Sequence, residues 1–576
     1  MEAVIDRPYR IHMKPRSEII QSAARSVYDV CVIGGGASGA GCALDSQLRG
    51  FKTILIDAGD FGSGTSTAST KLIHGGLRYL QQAVTEFDIA QYRVVRLALR
   101  ERRLMMNNAP YLSRACEFAV PCYSLLEAAY YDLGLKLYDW LSGDASLAPS
   151  RFVNRTQSLA RMPGLKGQDL FGTVVYSDGQ FDDARYNLAL VQSCVALGGD
   201  ALNYARLLEF ETDPDCRLIA ASIEDRLSKQ RFRVAARAFV NATGPFSDQV
   251  RALAGNANER IILSRGVHIL LPLPEEFGNE ALLIPKTDDG RVIFAIPWQG
   301  RLLVGTTETE STLDTQLTVT REEAEFLLRH VNRYLARRFD IEDIVSAIAG
   351  LRPLVRSRNS RETKKLIRDY EIEVDRQSGL ISVLGGKWTV YRAMAEDAIN
   401  TVQRLLTGRI TDSRTRYHML FGAEDEDASV EALLAIYHVP RSTIRHITDK
   451  FGSRRTRLLD LIRQDGSLIS PVIHGSPHIQ AEVVYSVREE MAVSVEDILS
   501  RRLGLQFYDW CLAAQAAPVV GEILGRELGW SPAQTRSEVS GYVDGINRGL
   551  EALGRERVRV TGMHRGNINE ELHRRA

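Results

Sequence analysis

The feature that most constrains this 576-residue chain is a glycine-rich turn between a short apolar run and a helix-like segment. The run VYDVCVI at 27–33 is rich in β-branched residues and too short for a buried helix, which favours a strand of a parallel sheet. Residues 37–49 carry small and apolar side chains at helical spacing, and residues 52–57 predict a second strand. The chain therefore opens with a strand–helix–strand unit of an α/β fold.

The turn itself reads GGGASG over residues 34–39 and contains the pattern G-x-G-x-x-G. The first glycine permits a tight turn, the second lets the backbone approach a pyrophosphate, and the third lets the helix pack closely on the strand. The helix start offers free N–H groups and a partial positive charge to phosphates, and Asp57 can accept hydrogen bonds from ribose hydroxyls. We therefore expect a bound dinucleotide at Gly34, Gly36, Ala37, Ser38, Gly39 and Asp57.

Two later segments favour FAD over a nicotinamide dinucleotide. Residues 241–245 (NATGP) close a predicted strand with small residues, as a chain that passes a bound dinucleotide requires. Residues 385–387 (GGK) follow a β-rich run and precede a helical stretch, which indicates a second helix start facing phosphate or flavin. A nicotinamide-binding domain is normally contiguous, whereas these pieces are spread over about 360 residues. The FAD contacts expected here are Ala242, Thr243, Gly244, Gly386, Lys387, Trp388 and Thr389.

The remaining pattern predicts further domains around this α/β FAD-binding, Rossmann-like fold. Short β-rich runs at 261–271, 281–285, 291–296 and 302–306 indicate an inserted antiparallel sheet, suited to bind substrate. From about 425 to 545 the pattern is mostly helical, which predicts an all-α C-terminal domain. We expect a leader (1–26), an FAD-binding domain interleaved with a substrate-binding domain (27–410, the substrate part roughly at 110–180 and 260–350), a helical cap (411–545) and a basic tail (546–576).

Composition and motif content exclude several classes of protein. The chain has 72 basic residues (lysine and arginine) and 72 acidic residues (aspartate and glutamate). Its net charge is therefore zero and does not attract nucleic acid. The seven cysteines contain no CxxC pair and the eleven histidines no HExxH motif, so no metal site is expected. The G-x-S-x-G elbow of a serine hydrolase is also missing from the sequence.

Contact with a membrane would have to be superficial, because no apolar run approaches the ~20 residues that span a bilayer. The candidate faces are an arginine-rich helical segment at 85–106 and an apolar, aromatic one at 124–141. Core packing is the simpler interpretation of the second segment. Basic residues of the leader, among them Lys14 and Arg16, could contact anionic lipid, but a solvated leader is the simpler interpretation.

Residues 62–80 read GSGTSTASTKLIHGGLRYL, in which hydroxyl groups and two further glycines could face phosphate or flavin. From Ser69 to Leu80 this stretch matches the pattern of the FAD-dependent glycerol-3-phosphate dehydrogenases of the aerobic, membrane-associated type, and the chain resembles that family over roughly residues 27–545. Val390 is a departure, because the family commonly has a second threonine there. Further matches are SRGVH (264–268), PW (297–298), VGTT (304–307), AGLRPL (349–354), RDY (368–370), GGKWT (385–389), AEV (481–483), RR (501–502) and GW (529–530).

The resemblance implies an FAD domain, an antiparallel substrate domain and a helical cap. It implies oxidation of sn-glycerol 3-phosphate to dihydroxyacetone phosphate by hydride transfer from C2 to N5 of FAD. Electrons would then pass to a membrane quinone, ubiquinone or menaquinone, although some relatives use oxygen. The protein is accordingly expected at the cytoplasmic face of a membrane as a peripheral, monotopic protein, and the cap could mediate a homodimer.

The resemblance also suggests roles for side chains around the flavin. A phosphate dianion needs cations with directed donors. The cations that match family motifs are Arg78, Arg352, Arg368 and Lys387. His74 and His268 are the candidate bases, because an ordinary imidazole titrates near neutral pH. Arg352 stays protonated and should stabilise the developing alkoxide, and Tyr79 could orient the hydroxyl. The remaining flavin contacts are expected at Thr65, Ser66, Ser69, Thr70, Lys71, His74, Gly75 and Gly76.

Two functions of other classes stay open at this point. An amine or amino-acid oxidase could use the same fold, although the phosphate-binding cations argue against it. A non-catalytic dinucleotide sensor would keep the glycine motif but would not need His74, Arg352 or Lys387.

Overall fold

The computed structural model describes residues 14–76, 89–313, 317–356, 370–424 and 429–560. Its strands are β1 (Val27–Ile33), β2 (Thr53–Ile56), β3 (Leu72–Ile73), β4 (Ser113–Cys122), β5 (Arg151–Asn154), β6 (Gly172–Phe181), β7 (Asp200–Leu202), β8 (Ala205–Thr212), β9 (Leu218–Asp225), β10 (Arg231–Asn241), β11 (Ile261–Pro272), β12 (Ala281–Ile284), β13 (Ile293–Trp298), β14 (Arg301–Gly305), β15 (Thr309–Ser311), β16 (Ser346–Val355), β17 (Tyr370–Val374) and β18 (Ile381–Gly385). Its α-helices are α1 (Arg16–Arg25), α2 (Ala37–Leu48), α3 (Ile89–Asn108), α4 (Leu125–Ser142), α5 (Arg155–Arg161), α6 (Asp183–Ala196), α7 (Ser247–Leu253), α8 (Arg321–Tyr334), α9 (Tyr391–Thr407), α10 (Val430–Tyr437), α11 (Arg441–Phe451), α12 (Arg455–Gln464), α13 (Gln480–Glu490), α14 (Leu505–Tyr508), α15 (Trp510–Leu528) and α16 (Pro532–Ala552).

The first sheet has eight strands and contains the predicted strand–helix–strand unit. Its order is β17-β18-β10-β1-β2-β7, and β9 and β8 continue from β10. Strand β1 runs parallel to β2 and β10, and β10 runs parallel to β18. Helices α2, α6 and α9 cover one face in a single apolar cluster. The glycine turn, residues 241–245 and residues 385–387 therefore meet at the carboxyl edge of this sheet, where doubly wound folds bind their ligands.

The second sheet has ten strands in the order β15-β11-β14-β13-β12-β4-β6-β3, with β16 beside β11 and β5 beside β6. All the pairings of its described strands are antiparallel except that of β4 with β12. Strand β16 pairs with β11 along its whole length, so Arg352 lies opposite Ser264 and Ile348 opposite His268. The fold class expected from the sequence is confirmed in both sheets.

Helices α10 to α16 form the expected all-α C-terminal part, together with a π-helical turn at Asp497–Arg502. One apolar cluster joins these helices to α8 and to the second sheet, so the helical domain is packed firmly on that sheet. Helix α16 continues to Ala552. The expected boundary between the helical cap and the basic tail, at residue 546, therefore falls inside a helix.

The interpretation of a solvated leader is wrong for its second half. Helix α1 buries three apolar side chains against the face of the first sheet opposite α2. Lys14 pairs with Asp200 at 2.8 Å, and Arg16 pairs with Asp225 at 2.7 Å. These two cations have acidic partners within the protein, so lipid contact is not needed to account for them.

Helix α4 differs from the core helix that its apolar composition suggested. Leu135 and Tyr138 are buried, but Leu126, Leu133 and Trp140 are 82%, 73% and 71% exposed. The helix is thus apolar on two faces, and core packing accounts for only one of them. Within the described ranges, no helix has the length and apolar character needed to cross a membrane.

Candidate functional site

A cavity of about 2220 Å³ lies where the two sheets and the C-terminal domain meet. Distant parts of the sequence converge on its wall, as a site assembled by tertiary folding requires. The sequence-predicted residues that line it are Gly34, Gly36, Ala37, Ser38, Asp57, Thr65, Ser66, Ser69, Thr70, His74, Gly76, Ala242, Thr243, Gly244, His268, Arg352, Gly386, Lys387, Trp388 and Thr389.

Three predicted cofactor contacts do not line this cavity. Gly39 faces the turn, where a β-carbon would lie 1.7 Å from the carbonyl oxygen of the first glycine. Gly75 donates its N–H to the Tyr138 hydroxyl at 2.7 Å. Lys71 is buried and pairs with Asp183 at 2.5 Å, so its ammonium is engaged inside the protein. The predicted substrate contacts Arg78, Tyr79 and Arg368 lie outside the described residues.

The glycine turn and the end of β2 shape the part of the cavity suited to a ribose. Gly34 has a φ of +104°, a conformation that side chains disfavour. The Asp57 carboxylate accepts the N–H groups of Gly35 and Gly59 at 2.5 and 2.8 Å. Burial raises the pKa of Asp57 to about 6, and these two donors oppose the shift. Asp57 thus presents a positioned acceptor to the cavity, as ribose hydroxyls require.

Helix α2 directs its N-terminus at the same part of the cavity. Its cap residue Gly36 lines the wall, and the N–H of Ala37 is donated to Ser66 Oγ at 2.9 Å. The indole of Trp388 donates to the Ser66 carbonyl at 2.7 Å and holds this hydroxyl-rich loop in place. Backbone donors, a helix dipole and hydroxyl groups together fit the pyrophosphate of FAD.

Another part of the cavity carries cations. Arg352 donates to Thr306 Oγ1 at 2.8 Å and to the Thr307 carbonyl at 3.2 Å. A β-carbon at Gly266 would lie 2.3 Å from the Arg352 guanidinium, so the missing side chain makes room for it. Lys387, which precedes α9, lines the same cavity. This arrangement can hold an anionic substrate.

His268 is a buried, neutral imidazole in the same wall. Its Nε2 lies 2.9 Å from Thr70 Oγ1. Burial, with the charges of Arg352 and Lys71, lowers the pKa of His268 to about 3. The expectation that this ring titrates near the working pH is therefore wrong. A β-carbon at Gly305 would overlap the ring, so a glycine again makes the room.

We expect His268 to reduce the stability of the protein in acid. Its pKa is ~6.5 in the unfolded chain but about 3 in the folded protein, so the unfolded state binds more protons between these values. Stability is therefore full above pH ~6.5 and decreases by about 1.4 kcal/mol per pH unit below it.

Urea unfolding at pH 7.5 and pH 5.5 measures this effect. The loss of stability between the two values should be about 1.4 kcal/mol smaller in His268→Gln than in the unsubstituted protein. His478, whose pKa burial also lowers to about 3, affects both proteins alike and cancels in the comparison. An identical loss in the two proteins would contradict the assignment.

His74 follows β3 directly and lines the cavity. Its N–H donates to Thr389 Oγ1 at 3.3 Å. The next residue, Gly75, is held by Tyr138, whose hydroxyl donates to Asp178 at 2.9 Å. The backbone of His74 and Gly75 is therefore held by two neighbours, the turn before α9 and helix α4.

Sequence reasoning missed several residues that shape this site. Thr306 and Thr307 hold the guanidinium, and Gly266 and Gly305 make room for it and for the imidazole. The motifs SRGVH and VGTT contain all four, but only the pairing of β11 with β14 and β16 reveals their neighbours. Val390, the departure from the family pattern, is buried in the core and does not line the cavity.

Comparison with known proteins agrees with this geometry. A profile of the family described as "FAD dependent oxidoreductase" matches residues 29–396, and one described as "C-terminal domain of alpha-glycerophosphate oxidase" matches residues 413–535. The chain is 38% identical over 536 residues to the probable mitochondrial glycerol-3-phosphate dehydrogenase of Caenorhabditis elegans, covering 91% of this chain and 74% of that protein. It is 37% identical over 530 residues to the mitochondrial glycerol-3-phosphate dehydrogenase of Homo sapiens, covering 89% and 72% respectively.

Solved structures of FAD-containing proteins also match this chain. The glycerol-3-phosphate dehydrogenase from Bacillus halodurans, complexed with FAD, matches with a TM-score of 0.76 and 26% identity, covering 93% of this chain and 98% of that one. The L-alpha-glycerophosphate oxidase from Mycoplasma pneumoniae, with FAD bound, matches with a TM-score of 0.52 and 15% identity, covering 68% and 99%. At 15% identity, the second match shows a shared fold and nothing more.

Proposed function

We propose, since the chain belongs to the FAD-dependent glycerol-3-phosphate dehydrogenase family, that it oxidises sn-glycerol 3-phosphate to dihydroxyacetone phosphate. The FAD held by this cavity would supply the acceptor for the hydride of C2, at N5 of its ring. The observation that carries the proposal is that Arg352 and Lys387 line the same cavity as the glycine turn. One space offers a dinucleotide-binding part and a cationic part, as oxidation of a phosphorylated alcohol requires.

Of the four cations predicted from the sequence, the two that lie among the described residues suit different parts of the substrate. Arg352 stays protonated, so it can stabilise the developing charge on the C2 oxygen without acting as a base. Lys387 supplies a compact positive charge for the phosphate dianion. Arg78, Arg368 and Tyr79 would complete the set predicted from the sequence.

The C2 hydroxyl must also lose a proton, and we assign its acceptor as His74. A general base works best when its pKa lies near the working pH. The pKa of His268 is about 3, so its neutral ring suits hydrogen bonding to substrate beside Thr70. His74 lines the cavity, and its backbone is held by Thr389.

A membrane quinone, ubiquinone or menaquinone, is the proposed electron acceptor. The cavity extends to α4, where Leu126, Tyr130 and Leu133 line it and are also largely exposed. An apolar entrance at the protein surface suits a molecule that arrives from a lipid phase. Oxygen is the alternative electron acceptor. Oxygen is small enough to reach the flavin without this entrance, so the entrance supports the quinone and not oxygen.

The exposed face of α4 supports peripheral contact with the cytoplasmic face of a membrane. We expect Leu133→Glu to weaken binding to anionic lipid vesicles about tenfold or more, because burying a leucine contributes about 1.5–3 kcal/mol and burying a carboxylate costs energy. Co-sedimentation with vesicles measures the change. Ile436→Glu, at a helical-domain residue that is 59% exposed, is the matched control and should bind normally. Equal binding by all three proteins would exclude this face.

Anaerobic reduction tests the proposed reaction itself. The purified holoprotein should lose its oxidised flavin absorbance when sn-glycerol 3-phosphate is added without air. Reoxidation by a short-chain quinone should then be faster than reoxidation by air. Bleaching by D-amino acids instead would favour an amino-acid oxidase, and a flavin that neither substrate reduces would favour a non-catalytic sensor.

A further inference from the structure

Asp60 is a buried carboxylate held mainly by the C-terminal domain. Arg501 Nε and Arg502 Nη1 each donate to it at 2.7 Å, and Arg502 Nη2 donates at 2.9 Å. Asn203 Nδ2 adds a fourth donor at 3.1 Å. Burial opposes ionisation, but the charges of Arg502 and Arg501 hold the pKa of Asp60 below its usual range. The three groups form an ionic cluster with almost no access to water.

This carboxylate belongs to the loop that forms the ribose end of the cavity. Eight of the ten residues in loop 57–66 line the cavity, and the two that do not are Asp60 and Phe61. The Asp60 carbonyl accepts the N–H of Ser63 at 3.1 Å, and the N–H of Gly62 donates to the Gly35 carbonyl at 3.1 Å. These two hydrogen bonds connect the middle of the loop to the backbone of Asp60 and to the glycine turn.

The two arginines extend from the π-helical turn Asp497–Arg502. Arg501 also pairs with Asp497 at 2.7 Å, and Asp497 accepts the Tyr204 hydroxyl at 2.7 Å. Ser500 and Arg501 line the cavity. The C-terminal domain thus contributes both a part of the wall and the ionic anchor of a loop about 440 residues earlier in the chain.

We propose that the C-terminal helical domain is a structural part of the FAD site, with Asp60, Arg501 and Arg502 as positioning residues. They hold loop 57–66 in the conformation that receives the ribose and pyrophosphate. Apart from the buried Phe61, the loop consists largely of glycine and small hydroxyl residues, so most of it has little side-chain packing to hold it. FAD binding and docking of the C-terminal domain are therefore coupled, and each stabilises the other.

The test measures FAD affinity rather than turnover. Arg501→Lys keeps the charge, but a single ammonium cannot serve Asp60 and Asp497 with the geometry of a guanidinium. Asp60→Asn removes the other partner. We expect each change to raise the Kd of the apoprotein for FAD about tenfold or more, measured by quenching of flavin fluorescence.

Arg49→Lys is the matched control. Arg49 on α2 makes an equally buried pair with Asp45, at 2.7 and 3.0 Å, and neither residue lines the cavity or contacts Asp60, Arg501 or Arg502. This variant should lower the unfolding temperature to a similar extent but leave the Kd for FAD within twofold. A Kd that rises equally in all variants, or in none, would overturn the proposal.

A measurement on the unsubstituted protein covers the case in which Arg501→Lys does not fold. Hydrogen exchange of backbone amides in the turn Asp497–Arg502 is compared between apoprotein and holoprotein. Coupling predicts at least about tenfold slower exchange in this turn when FAD is bound. Unchanged exchange there, with slower exchange in the loop 57–66, would overturn the proposal.

Discussion

Replacing Gly39 with alanine should raise the Kd for FAD about a hundredfold. The β-carbon would lie 1.7 Å from the backbone oxygen of Gly34 and 3.3 Å from the side chain of Ala242. Backbone atoms cannot rotate away as a flexible side chain can, so α2 would have to move off the glycine turn. Overpacking of this kind typically costs about 1–3 kcal/mol, and here it moves the helix N-terminus that receives the pyrophosphate.

The ratio of FAD to protein after purification, followed by a fluorescence titration of the apoprotein, measures this effect. Gly541→Ala is the control, because it adds the same methyl group to α16 at a position that faces open space. The control should bind FAD normally and unfold at the same temperature or slightly above it, since alanine favours a helix. Full FAD content in Gly39→Ala, with an unaltered Kd, would show that the turn does not hold the cofactor.

The parts of the fold that could be predicted are those that local pattern determines. Alternating or continuous apolar runs predicted the strands at 27–33 and 261–271 correctly. The pleat and the burial of a strand determine which neighbouring residues are apolar, so a short stretch of sequence is enough to indicate a strand. The glycine pattern predicted the tight turn for the same reason. Neither inference depends on a residue far away in the sequence.

The parts that could not be predicted depend on contacts between distant segments. The neutral state of His268 results from burial beside Arg352, and no local pattern reports it. Lys71 lies within the motif that matches the family, yet its ammonium pairs with Asp183 away from the cavity. Helix α4 has the composition of a core helix, but whether a second element covers each apolar face is decided only by tertiary packing.

Replacing Arg352 with methionine should lower the rate of flavin reduction by sn-glycerol 3-phosphate about a hundredfold to a thousandfold. Methionine keeps much of the side-chain volume but removes the charge that is proposed to stabilise the C2 oxygen. Loss of one such donor in an enclosed site costs about 2.7–4 kcal/mol. Stopped-flow reduction without air gives the rate, while reduction by dithionite and the Kd for FAD should remain normal because the cofactor end is untouched.

Gly266→Ala separates the position of Arg352 from its charge. The new β-carbon would lie 2.3 Å from the guanidinium, so the arginine is retained but displaced from Thr306 and Thr307. We expect a loss of about tenfold or more, smaller than in Arg352→Met, because a displaced charge still acts at longer range. Gly466→Ala, where a β-carbon meets open space, should react normally. If Gly266→Ala also reacts normally while Arg352→Met does not, the charge of Arg352 matters and its fixed position does not.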